Sequence, residues 1–388
     1  MSAVETETVT SVPQSAAAPL IVHVVRQFLP NRGGLEDVVA NLAYQTIKHG
    51  YRVRVITLDS LFTSRDNKLA AHETIDGIEV VRIPWSGSQR YPIAPQVFRH
   101  LGDAAVIHVH AIDFFFDALA LGRFLHGKPM IVTTHGGFFH TRKYATIKKL
   151  WFQTLTRMSA RAYKRIVGCS VSDLEQFRKI SPRTSILIEN GVDIGKFADS
   201  ASQKPRRRII TIGRFSLNKR LDHLLDVMGI LKARNLEWHL DIVGSESDLK
   251  EADVRREIQA RVLDTTVTLT VSPDNDSIAR LIRSASLFAS ASEYEGFGLV
   301  ALEAMSAGLV PVLNGNAAYC GLAAKHPLLR LADFSDPQAA ADILESAHLA
   351  LPIDPAGIRL TLMQEAGRYS WQTVAGRYFS VYDSVLSD

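Results

Sequence analysis

The run Leu20-Ile-Val-His-Val-Val25 gives way to Arg26-Gln-Phe-Leu-Pro-Asn-Arg-Gly33-Gly34, then to a helical stretch over about residues 35–49. A continuous apolar run of this kind is typical of a buried parallel strand. Gly50 suits the position just past the helix, where a left-handed backbone ends it. Outward from this unit the rhythm recurs, with strands predicted over 52–58, 79–83, 106–110, 130–134 and 166–169, each followed by a polar loop. Strands alternating with helical spans predict a doubly wound α/β domain. The rhythm breaks after Asn190-Gly-Val-Asp193. Residues 198–208, ADSASQKPRRR, are polar, contain Pro and lack apolar periodicity, so they read as a linker. It restarts at 209–212 and continues through 239–243, 267–271, 287–289 and 310–313. The expected organisation is a disordered tail (1–18), a first domain (19–197), the linker (198–208), a second domain (209–370) and a terminal helix (371–388) whose partner periodicity does not reveal.

Composition narrows the class. The chain has 388 residues, 46% of them apolar and 22% charged, which suits two globular domains and excludes wholesale disorder. Cys169 and Cys320 provide neither a disulfide framework nor a zinc signature. No apolar run reaches the 18 residues of a membrane span, and MSAVETETVTSVPQSAAAP is acidic where a signal peptide is basic. A cytoplasmic protein with at most peripheral membrane contact is expected. Net charge is +4, unevenly spread. Residues 1–200 carry 24 Lys and Arg against 17 Asp and Glu, while residues 201–388 carry 20 against 23. No acid occurs between Asp117 and Asp173, a span with ten basic residues, so an anionic partner is expected there.

Chemistry-bearing residues fall after predicted strands, where ligands of such folds bind; two facing domains make the cleft between them the expected site. Glu295-Gly-Phe-Gly-Leu-Val-Ala-Leu-Glu303 puts Gly296, Phe297, Gly298 and Leu299 at a helix start, where backbone N–H groups and the dipole favour an anion. Gly213-Arg214 and Lys219 place two cations just past a strand, a diphosphate clamp or a solvated basic loop. Gly33-Gly34 offers a close backbone approach, but G-x-G-x-x-G is missing, which argues against a dehydrogenase. His108, His110 and His135 stand at strand ends, with no spacing that makes a metal site. Asp274-Asn-Asp276 reads as a turn with an N-cap. Within the acid-free span, Ile147, Leu150, Trp151, Leu155, Met158 and Ala162 fall on one side of a helix, with Lys149, Arg157 and Lys164 elsewhere. That helix either packs with a solvated basic face or attaches to an anionic membrane; nucleic acid suits it less, because no binding motif is present.

Taken together, Glu295–Glu303, Gly213-Arg214 with Lys219, Asn190-Gly-Val-Asp193, Thr134-His135-Gly136 and Gly33-Gly34-Leu-Glu36 resemble the family 4 retaining glycosyltransferases, over about residues 20–386. With Cys169-Ser170 and HGGFFHTRKYATIKKLWFQ, the chain is most similar to the bacterial α-mannosyltransferases of xanthan- and acetan-type exopolysaccharide assembly. The resemblance implies a GT-B fold, two Rossmann-like domains facing across a cleft, with a C-terminal helix that has the option of crossing back to the N-terminal domain. It implies transfer of mannose from GDP-mannose to a polyprenyl-diphosphate-linked cellobiose through an α-1,3 bond, on the cytoplasmic face of the membrane, without metal or cofactor. Glu295, Lys219, His135 and Arg214 would be catalytic; Glu303, Gly213, Phe297, Gly298, Leu299, Gly33 and Gly34 would bind the donor. Lys148, Lys149, Trp151, Arg157 and Lys164 would face the acceptor and an anionic membrane. Thr270-Val-Ser272 stands where many relatives carry a glycine. A family 4 enzyme using a UDP-sugar, and a non-catalytic nucleotide-sugar-binding protein, are the competing readings.

Overall fold

The computed structural model describes residues 18–31, 33–136, 151–234 and 237–387, which form two compact units. The first holds residues up to Gly191 together with Trp371–Asp388, and the second is Val192–Ser370.

In the first unit, β1 (Leu20–Val24), β2 (Arg52–Leu58), β3 (His72–Ile75), β4 (Ile78–Ile83), β5 (Val106–His110), β6 (Met130–Thr133), β7 (Arg165–Gly168) and β8 (Ser185–Leu187) make one sheet. Their order is β8-β7-β6-β5-β1-β2-β4-β3, parallel except for β3. The register pairs Ile21 with Val53 and His23 with His108. Alternation along β1 sends Leu20, Val22 and Val24 into one apolar layer with Phe115 and Phe116. It sends Ile21 to the other, with Leu42 and Tyr382. The terminal helix Trp371–Ser387 therefore completes the core of the first unit. Tyr382 Oη lies 2.8 Å from His108 Nδ1, and the Phe379 ring stacks on His49 at 4.0 Å.

In the second unit, β9 (Arg208–Ile212), β10 (His239–Gly244), β11 (Val267–Val271), β12 (Leu287–Ser290), β13 (Val310–Asn314) and β14 (Arg330–Ala332) form an all-parallel sheet ordered β11-β10-β9-β12-β13-β14. Strand order reverses between β9 and β12, and ligands of doubly wound sheets bind at such a switch point.

Two expectations are corrected. The stretch 198–208 is not a free linker. Phe197 and Ala201 are buried in the second unit's core, Ala201 N donates to Ala307 O (2.8 Å), and buried Arg359 donates to the carbonyls of Ala201 and Ser202. One guanidinium satisfies backbone groups that apolar periodicity does not register. The helix in the acid-free span also turns a different face inward. A π-helical turn at Phe152–Thr156 shifts the register, so Phe152, Thr156, Ser159 and Tyr163 are buried. Trp151 and Met158 are 42% and 49% exposed. Ser159 Oγ donates to Asp117 (2.7 Å) and Tyr163 Oη to Phe116 O (2.8 Å), holding this face against the helix Phe114–Leu121.

Candidate active site

At the switch point of the second unit, two loops are tied together. Gly213 follows β9 with φ +159°, and its amide donates to Val243 O at 2.9 Å. A Cβ there would press on Lys219 Cε at 3.2 Å, so the glycine leaves room for that side chain. Lys219 ends a short 3-10 turn, Leu217–Lys219, and its Nζ donates to Glu295 Oε1 at 2.7 Å. Asn218 Nδ2 donates to Tyr294 O (2.9 Å), while Tyr294 N donates back to Asn218 Oδ1 (3.0 Å). The Tyr319 hydroxyl lies 3.0 Å from Ser290 Oγ and 3.3 Å from Glu295 Oε1. Burial and the Glu295 charge push the Tyr319 phenol well above its ordinary range, so it stays a donor.

The glycines of this loop serve different ends. Gly298 caps the helix Leu299–Ala307 at φ +87°, and a Cβ on it would meet Tyr319 at 2.9 Å. The first-turn N–H groups have no acceptor within the helix, so its positive end lies open beside Gly296. Phe297 packs edge-on against Tyr369, ring centres 5.9 Å apart, and anchors the loop. Arg214 is exposed beyond β9. Glu303, mostly buried in the helix, has its carboxyl pushed up by burial; Lys196, with Nζ 3.8 Å from Oε1, opposes this, and Asp193 adds to it. One sheet edge thus combines two cations, a helix N-terminus and two carboxylates of unlike surroundings. That set suits an anionic leaving group with a polyhydroxyl ligand attached.

In the first unit, His135 follows β6 with φ +52°. Its Nε2 lies 3.0 Å from His110 Nδ1, and its Nδ1 faces Cys169 Sγ at 3.8 Å. Burial, helped by the Arg26 charge, pushes the imidazole down to about 3. Burial also pushes the Cys169 thiol up to about 12, so both groups are neutral near pH 7. Among the described residues, His23, His108 and His110 alone bring enough side-chain donors together for a metal ion. Those donors are already engaged: His23 Nδ1 lies 2.9 Å from His110 Nε2, and His108 Nε2 lies 2.7 Å from Thr133 Oγ1. Asp274 is the N-cap of Asn275–Ile282, accepting from Ser277 N at 2.8 Å, so the Asp-x-Asp stretch is a cap. Ser272 takes φ +49°, a conformation in which glycine is at ease.

Gly33 and Gly34 start the helix Gly34–Lys48, but Glu36 Oε2 would lie 2.7 Å from a Cβ on Gly33, and Asn31 Nδ2 donates to Glu36 Oε1 at 2.9 Å. The first turn of this helix thus already carries its own carboxylate. Trp151 stands edge-on to Tyr91 at 6.4 Å, and Arg157 and Lys164 are exposed. Lys148 and Lys149 lie outside the described residues. Tyr319, Asn218 and Lys196 were not anticipated. Asn218 adjoins Lys219 and was open to being read with it, whereas Tyr319 arrives from the helix Ala317–Ala323 with no local signal.

Residues 32–196 match the model described as Glycosyltransferase Family 4, and residues 195–348 match Glycosyl transferases group 1. Over 368 residues the chain is 43% identical to the GDP-mannose:cellobiosyl-diphosphopolyprenol alpha-mannosyltransferase of Xanthomonas campestris, covering 94% of this chain and 97% of that one. The chain belongs to glycosyltransferase family 4. A transferase of the same description from Komagataeibacter xylinus is 42% identical over 367 residues, covering 94% and 93%. A solved glycosyltransferase from Rickettsia africae ESF-5 matches with a TM-score of 0.72 at 16% identity, over 96% of this chain and 100% of that one. This family 4 glycosyltransferase therefore has the two Rossmann-like units of the GT-B fold expected from its sequence.

Proposed function

We propose that this chain is a retaining α-mannosyltransferase that moves mannose from GDP-mannose to a polyprenyl-diphosphate-linked cellobiose, forming an α-1,3 bond in exopolysaccharide assembly. The observation that carries the reading is full-length similarity at 43% to a transferase described in those terms, with Lys219 and Glu295 paired at 2.7 Å at the switch point. Departure of the nucleoside diphosphate develops negative charge on phosphate and positive charge on the anomeric carbon. Lys219, Arg214 and the N–H groups at Phe297, Gly298 and Leu299 stabilise the first without a metal. Glu295 orients the donor sugar, and Glu303 takes the ribose. His135 serves as a neutral hydrogen-bonding contact to the donor sugar, consistent with an imidazole pushed down to about 3. Retention follows from attack on the face the phosphate leaves.

The acceptor's polyprenyl tail places the reaction at the inner face of a membrane, and the chain binds there peripherally. No described helix is long and apolar enough to cross a membrane. The acid-free span, with Lys148, Lys149, Trp151, Arg157 and Lys164, supplies the attraction to anionic lipid. Incubation with GDP-mannose or UDP-glucose, with and without lipid-linked cellobiose, tests the reading. Mannose should appear on the lipid-linked product from GDP-mannose alone. Transfer from UDP-glucose instead, or no transfer from either donor, would overturn it.

A further inference from the structure

Three large apolar side chains stand out of the first unit within five residues: Leu121, Phe124 and Leu125 are 60%, 91% and 81% exposed. Isolated exposed apolar residues are ordinary, but a clustered group at one turn marks an interaction surface. Local geometry explains the projection. The helix Phe114–Leu121 stops at Gly122, where a Cβ would strike the Phe98 ring at 2.3 Å. The next turn, Arg123–His126, buries none of its side chains. That turn is held in place. His126 Nε2 donates to Leu119 O at 3.1 Å, and His126 Nδ1 accepts from Lys128 N at 3.0 Å. Gly127 closes it at φ +62°, with its amide on Arg123 O at 2.9 Å.

We propose that the Leu121–Phe124–Leu125 knob is a membrane anchor, inserting between the headgroups of an anionic lipid bilayer. It rests on the peripheral-membrane part of the reading above and assigns it a residue-level contact that the basic helix alone does not provide. Charge selects the occupant. The Arg123 guanidinium carbon lies 5.8 Å from the Phe124 ring centre, Lys128 follows, and no acid occurs from 118 to 172. An apolar tip with a cationic collar matches the interface of an anionic membrane. A second copy of the chain would set two such collars against each other, and like charges repel. Because the turn is already formed, insertion costs little ordering.

The test is co-sedimentation of the full chain with vesicles of phosphatidylglycerol mixed with phosphatidylcholine, against phosphatidylcholine alone. Phe124→Ser with Leu125→Ser should lower partition to the anionic vesicles by about tenfold or more. It should leave melting temperature and turnover on a short-chain, detergent-soluble acceptor unchanged. In a Phe124→Trp variant, the added emission should shift to shorter wavelength with anionic vesicles only. Unchanged partition of the double variant, or no emission shift, overturns the anchor. If Arg157→Gln with Lys164→Gln abolishes binding while the knob variant binds normally, the anchor falls and the membrane reading stands. If the wild-type chain binds no vesicles, both fall. If the knob variant loses only self-association measured by sedimentation, the knob is a self-interface and the anchor is overturned.

Discussion

Replacing Lys219 by Met keeps most of the side chain's length and apolar stem and removes its charge. In the free protein Lys219 Nζ donates to Glu295 Oε1 at 2.7 Å, with the two side chains 21% and 18% exposed. Losing a partly exposed pair of this kind costs about 1 kcal/mol of stability, small against the roughly 5–15 kcal/mol of a typical domain. The protein should stay folded, with a thermal midpoint lowered by only a few degrees. The effect on turnover is larger. Two unit charges about 4 Å apart interact by about 4 kcal/mol at an effective dielectric near 20. The diphosphate is already charged in the ground state, so only the charge added on departure counts toward kcat. Removing one preorganised stabiliser of developing charge costs about 2.7–4 kcal/mol elsewhere, so kcat should fall about 10²–10³-fold. Part of the loss is ground-state binding, so KM for GDP-mannose should rise as well. The assay is initial-rate transfer of labelled mannose to lipid-linked cellobiose, beside thermal melting of the same preparation. Lys219→Arg restores charge but not the point geometry and should recover activity only in part. A folded Lys219→Met enzyme with kcat within about threefold of wild type would refute the role of this ammonium.

Tyr319→Phe removes the hydroxyl shared by Ser290 and Glu295; urea denaturation should show a loss of about 1 kcal/mol, and kcat should fall severalfold as Glu295 loses its brace. Gly298→Ala forces an alanine into φ +87° with its Cβ 2.9 Å from Tyr319, so a destabilisation of about 1–3 kcal/mol is expected; a neutral melting curve would contradict the cap geometry. His23 and His135 are each pushed from 6.5 down to about 3 by burial, so across that window the unfolded chain binds more protons and stability falls as pH falls. Asp113, raised by burial from 3.8 to about 6, acts the opposite way, but buried His108 and His110 are lowered too and outweigh it. Urea midpoints should therefore drop between about pH 7 and pH 5, and a rise would show that the imidazoles are not held neutral.

Much of the fold was legible because buried parallel strands are short apolar runs that need no partner to be recognised. The predicted span 52–58 coincides with Arg52–Leu58, and 267–271 with Val267–Val271. The strands not foreseen, His72–Ile75, Ser185–Leu187 and Arg330–Ala332, lie at sheet edges, where one side meets solvent and the apolar signal thins. The site showed the same division. Lys219, Arg214, Glu295 and Glu303 announce themselves by charge beside glycines, whereas Tyr319 is a buried aromatic whose hydroxyl matters only because β12 and the helix Ala317–Ala323 bring Ser290 and Glu295 to it. The π-helical turn at Phe152–Thr156 reversed which residues face inward, because one wider turn rotates everything after it.

Sequence alone determined the α/β class, the two-unit order, the family and the charged residues of the switch-point loops, since each depends on local pattern and residue chemistry. Tertiary structure decided what those residues touch. It paired Lys219 with Glu295, closed Gly33 with Glu36, turned both nitrogens of His135 toward His110 and Cys169, and returned the terminal helix to the first unit. These contacts join residues 76, 25 and 34 positions apart, or whole elements at opposite ends of the chain. Only packing of the sheets brings such groups within hydrogen-bonding range, and no local periodicity records that distance.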